Sequence, residues 1–305
     1  MGIPPFPHWK ERHLLSNERG YIITTDTNAD LPDYYLSQHG IPVIPLYYEI
    51  DGERHACNDP ALPPKEFYAR MRAGSMPVTQ QINPKEAAEI FEGIVESGMD
   101  ILHLAFSSAM SGSYNAARLA ADEVMERHPE ARIIVIDTLS ASLGLGLLIH
   151  HTLEKQEQGL TLDKAAEWVE QNKLHVCHVF TVDDLNHLYR GGRVSKTAAV
   201  FGTMLGIKPV MHTSNEGTLT PTGKVRGRKQ SLLALVDNMG KQMGDWENDT
   251  CFICHSDCLE EAQFVADNVR ERYKVKNFLI DYIGPTIGAH TGPGTIGLFF
   301  MGEVR

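Results

Sequence analysis

Positive charge is scarce in this 305-residue chain: 28 Lys and Arg stand against 39 Asp and Glu, a net charge of −11. Nucleic-acid binding needs a basic face, so that class of partner is excluded. No apolar run approaches the ~18 residues of a membrane span, so no integral membrane segment is expected. Residues 1–18 carry three prolines, two histidines and several charges without an apolar core. They lack the pattern of a signal peptide and read as a flexible leader on a cytoplasmic protein. Cysteine is sparse and odd in number: Cys57, Cys177, Cys251, Cys254 and Cys258. Scatter of this kind excludes a disulfide framework. Cys251-Phe252-Ile253-Cys254-His255 spells the CxxCH of haem attachment, but it lies in an apolar, strand-like run whose side chains alternate faces. Adding Cys258 gives four candidate zinc ligands within eight residues, not the usual two spaced pairs. Buried strand cysteines and no metal are expected. A G-x-G-x-x-G fingerprint is also absent, and Gly144-Leu145-Gly146 reads as a helix-packing site. Ala105 and Phe106 precede the serine pair Ser107-Ser108, so the G-x-S-x-G nucleophile elbow is missing.

Hydrophobic residues make up 42% of the chain and charged residues 22%, the balance of a soluble globular protein of about two domains. Tyr21 to Thr25 reads as a buried strand, followed by a helix from Leu31 to His39. Ile41 to Ile50 is an extended run, and residues 51–76 are irregular apart from a short helix near Lys65 to Ala73. Asn83, Pro84 and Glu86 form a helix start, with Ala87, Ile90, Phe91, Ile94 and Val95 as its apolar stripe. Ile101 to Phe106 and Ile133 to Ile136 are further strands, each followed by a helix. That alternation predicts an N-terminal α/β domain with a parallel, Rossmann-like sheet over residues 19–159. Beyond Gly159 the pattern changes. Thr161 opens a helix, Val176 to Val182 is a strand, and Asp183 or Asp184 caps a short helix ending at Gly191-Gly192. Ser195 begins a helix reaching Leu205. Ile207 to Thr213 and Gly217 to Thr222 form a hairpin about Asn215-Glu216-Gly217. Helices Arg228 to Met243 and Glu260 to Tyr273 interleave with strands Cys251 to His255, Asn277 to Ile283 and Thr295 to Met301. Residues 160–305 therefore form a C-terminal α/β domain with a largely antiparallel sheet.

Polar stretches gather at strand and helix ends: Asp26 to Asp30, Thr79-Gln80, Ser107 to Ser113, Gly191-Gly192-Arg193 and Gly288 to Gly294. A helix start after a strand favours an anion, because free N–H groups and the positive dipole end face it. Ser107, Ser108 and Ser111 either add donors to such a seat or cap their own helix. Gly288-Ala289-His290-Thr291-Gly292-Pro293-Gly294 reads as a tight loop, either a structural turn or a backbone approach to a ligand beside one imidazole.

Taken in order, five segments resemble the DegV family of bacterial fatty-acid-binding proteins. They are Thr25-Asp26-Thr27-Asn28-Ala29-Asp30-Leu31, Ser107-Ser108-Ala109-Met110-Ser111-Gly112-Ser113-Tyr114, Asp184 to Ser195, Ile207-Lys208-Pro209-Val210, and Gly288 to Gly294. The resemblance implies a DegV fold of two α/β domains holding a long-chain fatty acid between them, with no other cofactor. It implies a carboxylate site of Thr79, His290 and either Ser107 or Ser108. Asp26, Thr27, Ser111, Gly112 and Gly292 become pocket or loop support. It further implies a monomeric carrier, not a catalyst, that presents its lipid to an ATP-dependent fatty acid kinase for acyl-phosphate formation, with Arg193 at the kinase contact. The alternatives are a stand-alone hydrolase or phosphotransferase using Ser107 or Ser108, and a lipid-sensing regulatory module. Thr79-Gln80-Gln81 departs from the family's usual Thr-Ser-Gln, which bears on chain-length preference.

Overall fold

All six residues of Tyr21–Asp26 (β1) are buried, on both faces of the strand. A strand with no solvent face belongs inside a sheet covered on both sides. In the computed structural model, which describes residues 19–195 and 206–305, β1 lies between Val43–Ile44 (β2) and Asp100–Ala105 (β6). Ile133–Asp137 (β7) completes a parallel sheet of order β2-β1-β6-β7. One face packs Ile22, Ile101 and Ile133 against helices Pro84–Glu96 (α3) and Ser113–Arg127 (α4), through Phe91, Ala117 and Val124. The Asn83 side chain accepts from Lys85 N–H at the start of α3, as its sequence predicts. Glu86 instead accepts from the Tyr47 hydroxyl. The other face turns toward Asp33–His39 (α1), Leu143–Glu157 (α5) and Leu162–Asn172 (α6). Thr161 precedes α6 without a side-chain capping bond.

The second sheet has the order β10-β9-β8-β13-β11-β12. Its strands are Val176–Thr181 (β8), Ile207–Thr213 (β9), Leu219–Arg226 (β10), Thr250–His255 (β11), Asn277–Tyr282 (β12) and Ile296–Met301 (β13). Every pairing is antiparallel except β11 with β12. Helices Arg228–Gln242 (α8) and Leu259–Tyr273 (α9) cover one face. The opposite face meets α5, whose Leu143, Leu145, Leu147, Leu148 and Ile149 share one core with Ile23 and Leu102 of the first sheet and Phe252 and Phe299 of the second. Gly144 makes that fit possible: a Cβ there would fall 2.2 Å from His178 Nε2. Cys251 and Cys254 lie on opposite faces of β11, in different cores, and are free thiols.

Three expectations are corrected. The run Ile41 to Ile50 is broken at Pro45, with β2 in the parallel sheet and Tyr47–Ile50 (β3) in another. Residues 51–76 are not merely irregular: Glu53–Ala56 (β4) and Val78–Gln80 (β5) flank β3 in a small antiparallel sheet, beside helix Pro64–Arg72 (α2). The glycine-rich stretch near the C-terminus is mostly helical, as Pro285–Thr291 (α10). The leader and the helix expected from Ser195 to Leu205 lie outside the described residues, apart from Ser195 itself. The N-cap of the short helix Asn186–Arg190 (α7) is Leu185, without a side-chain capping bond, while the preceding Asp184 accepts from Asn186 N–H.

Asp30 joins these parts. One carboxyl oxygen is bonded to the Ser142 hydroxyl before α5, and the other accepts from Gly284 N–H before α10. Burial pushes its carboxyl up to about 8, and that of Asp26 up to about 6. An unfolded Asp titrates near 3.9, so the native state holds an extra proton between the two values and loses stability as pH rises through them. The buried histidines act in the opposite sense, because an unfolded imidazole still binds protons around and just above 6.5, so the contribution of Asp30 is isolated by comparing the protein with Asp30→Asn. Between pH 6.5 and 8.5 the melting temperature of the unmodified protein should therefore fall relative to that of Asp30→Asn, which keeps both hydrogen bonds without the titrating proton. Equal slopes for the two proteins in thermal denaturation would refute the assignment.

Candidate functional site

Strand β5 delivers Thr79 and helix α10 delivers His290, and the Thr79 hydroxyl lies 2.9 Å from His290 Nε2. Helix α10 starts here because Gly284 and Pro285 form a compatible N-terminus and the chain before them is tied down. Tyr68 donates to the Ile283 carbonyl at 2.7 Å, and Thr286 donates to Asn28 Oδ1 at 2.8 Å. The helix ends at Gly292, whose φ of +77° suits glycine. His290 is pinned from the other side by backbone: a Cβ on Gly191 would fall 2.1 Å from Nδ1. Burial, reinforced by the charge of Arg193, pushes the imidazole down to about 4. His290 is thus neutral at physiological pH, with one ring nitrogen a donor and the other an acceptor.

Arg193 follows α7 and is half-buried. Its Nε and Nη2 donate to the Met110 carbonyl at 3.1 and 2.9 Å, and Nη1 donates to the Gly191 carbonyl. Among the described residues no carboxylate pairs with this guanidinium. Two loops therefore grip the cation through carbonyl oxygens, and its positive charge has no counter-ion among the described residues.

The serines separate by role. Ser107 is fully buried, donates to the Gly217 carbonyl at 2.9 Å, and accepts from Ala109 N–H at 3.3 Å. Its hydroxyl ties the loop after β6 to the β9–β10 hairpin and does not line the cavity described below. Ser108 is exposed, and its N–H donates to Asp137 Oδ1. Among the described residues neither serine has a histidine as a bonding partner, which a serine nucleophile needs. Ser111, whose hydroxyl is 2.9 Å from that of Ser113, lines the cavity together with Gly112. Asp26 accepts from the N–H groups of Asn28 and Phe106, and the Thr27 hydroxyl accepts from Leu46 N–H. Both are loop support, while their neighbour Asn28 reaches the wall.

A cavity of about 290 Å³ runs between the sheets, lined by Leu46, Phe106, Met110, Phe180, Leu219, Ile283, Ile287 and Phe299, with polar groups concentrated in Thr79, Gln80, Gln81, Ser111, Arg193 and His290. That volume lies at the low end of the ~300–1,000 Å³ of small-molecule sites. An outer cleft of about 310 Å³ is lined by Met71, Met76, Val78, His187 and Arg190. Thr79, Arg193 and His290 belong to both walls. They form a polar partition between a mostly apolar cavity and a more polar cleft. Sequence reasoning missed the wall position of Arg193. The available signal was its place directly after Gly191-Gly192, where a short helix ends and a long side chain turns inward.

Fold and site define an α/β protein with a mostly apolar cavity beside a polar, positively charged neck. The chain belongs to the DegV family: the family described as uncharacterised proteins of DegV type matches residues 21–303. A DegV domain-containing protein of Clostridium perfringens is 44% identical over 286 residues, covering 93% of this chain and 98% of that relative. Among solved structures, the fatty-acid-binding DegV family protein from Thermus thermophilus superposes with a TM-score of 0.84 at 28% identity, covering 93% of this chain and 100% of the other. A stearic-acid-binding protein from Eubacterium ventriosum gives a TM-score of 0.81 at 27% identity, covering 92% and 98%.

The position of His290 sets its titration. Its ring resonances should show no protonation between pH 5.5 and 8 in an NMR titration, and Arg193→Ala should move the midpoint up toward the ordinary value near 6.5. An ordinary midpoint in the unmodified protein would contradict the neutral, buried imidazole.

Proposed function

We propose that this chain binds a long-chain fatty acid, with the acyl chain in the inner cavity and the carboxylate at the neck. The carrying observation is the partition itself: an Arg193 cation with no carboxylate partner among the described residues, beside the Thr79–His290 pair, with apolar wall on one side and a more polar cleft on the other. A carboxylate there supplies the missing negative charge and accepts hydrogen bonds from Thr79, Ser111 and a neutral His290. The tail contributes about 0.8 kcal/mol per buried CH₂. Thr79 and Ser111 come from residues 19–159, Arg193 and His290 from residues 160–305, so the ligand is held between the two parts of the chain. The fatty-acid-binding relatives of the same fold support this reading.

In the finer proposal the protein is a monomeric cytoplasmic carrier. Its outer cleft exposes the carboxylate to a separate ATP-dependent fatty acid kinase. A carboxylate oxygen attacks the γ-phosphorus, the bond to the bridging oxygen breaks, and acyl phosphate and ADP result. Arg193 is suited to this step, because a planar guanidinium pairs with carboxylate and phosphate oxygens alike.

Mass spectrometry of an organic extract of the purified protein should show a stoichiometric fatty acid. His290→Ala and Thr79→Val should each weaken binding of the acid by about 10- to 100-fold, the range for a charged hydrogen bond, and the matching alcohol by less. Equal losses for acid and alcohol would sink the carboxylate assignment. Arg193→Ala, assayed with the kinase, should lower acyl-phosphate formation more than lipid binding. Equal losses there would assign Arg193 to the pocket alone and remove its part in the partnership.

A further inference from the structure

The solvent side of α5 carries His150, His151 and Glu154, away from the cavity. The nitrogen and oxygen atoms they offer all lie within 4.8 Å of one another. His151 Nδ1 is 2.8 Å from Glu154 Oε2, and His150 Nε2 is 3.9 Å from Glu154 Oε1. Ligands about 2 Å from a tetrahedral zinc ion stand roughly 3.3 Å apart, so these separations bracket the required one. The geometry points to a three-ligand site for a divalent transition-metal ion of the Zn²⁺ class, formed by His150, His151 and Glu154, with the fourth position open to solvent.

Further features favour a metal over a plain ion pair. The Tyr35 hydroxyl lies 2.8 Å from His150 Nδ1. That bond fixes the ring and leaves Nε2 toward the cluster, the arrangement by which metal-ligating histidines are held. His151 makes its hydrogen bond through Nδ1, on the cluster side. Two imidazoles and a carboxylate select zinc-like ions, whereas calcium and magnesium prefer all-oxygen sets. Both histidines are half-buried and Glu154 is exposed, so an ion has access from solvent. Metal bound here braces the C-terminal half of α5 against α1 through Tyr35, whose ring also stacks on His39 at 4.4 Å.

The test uses the untagged full chain, stripped with chelator and titrated with Zn²⁺ by calorimetry and by competition with a chromophoric chelator. One equivalent should bind and raise the melting temperature. His150→Ala and Glu154→Gln should each weaken binding by at least ~10-fold, and Tyr35→Phe by about 10-fold through the lost support of the ring. His255→Ala, beside the cysteines of β11, should leave it unchanged. Glu154 is exposed, so its conservative replacement keeps the fold, which far-UV circular dichroism confirms. Absence of one-equivalent binding below 100 µM Zn²⁺ would overturn the site, a ceiling of about −5.5 kcal/mol. Binding that survives His150→Ala and Glu154→Gln would overturn it equally.

Discussion

The carboxyl group of Asp30 holds together three pieces of chain that are far apart in sequence. It ends the turn after β1, receives the Ser142 hydroxyl at the start of α5, and receives the Gly284 N–H at the start of α10. Burying an acid without a cation is costly, and the protein meets that cost by favouring the protonated form and satisfying both oxygens. The neck depends on this bond, because α10 carries His290 and α5 separates the sheets. Asn28 and Tyr68 add bonds to Thr286 and Ile283 on either side of the same junction. The polar stretch after the first strand thus serves mainly as a clamp on the helix that bears the histidine.

The parallel sheet was legible because its strands are short apolar runs ending in Asp, Thr or Ser, and because helices with clear stripes follow each. The antiparallel sheet was legible from the Asn215-Glu216-Gly217 hairpin and the closely spaced strands after it. The β3–β5 sheet was not, since Glu53–Ala56 is polar and half-exposed and lacks the apolar pattern of a buried strand. Helix α10 was hidden by its glycines: Gly284, Gly288, Gly292 and Gly294 resemble turn punctuation, yet Pro285 and the tethers to Asn28 and Asp30 impose a helix. The site was half legible. Thr79 and His290 meet as the motif order implies. Ser107 and Ser108 do not reach the wall, because Ser107 is drawn away by the Gly217 carbonyl. Local sequence carries no sign of that partner, which lies 110 positions further along the chain.

A carrier of an amphipathic acid faces two opposed demands. The tail must leave water entirely, while the head must be desolvated enough to be held and open enough to react. A deep carboxylate paired with a cation inside the core would satisfy the first demand and defeat the second, since breaking a buried ion pair is expensive. Here the binding groups stand at the boundary. Thr79, Arg193 and His290 line both the inner cavity and the outer cleft. Arg193 spends its donors on the Met110 and Gly191 carbonyls, so it offers the ligand a field more than a tight fork of hydrogen bonds. His290 is neutral and offers a single dipolar contact. In the proposed role, affinity comes chiefly from the apolar tail and orientation from the neck. That division leaves the carboxylate held in place yet reactive, because no group at the neck binds it strongly enough to lower its nucleophilicity toward phosphorus.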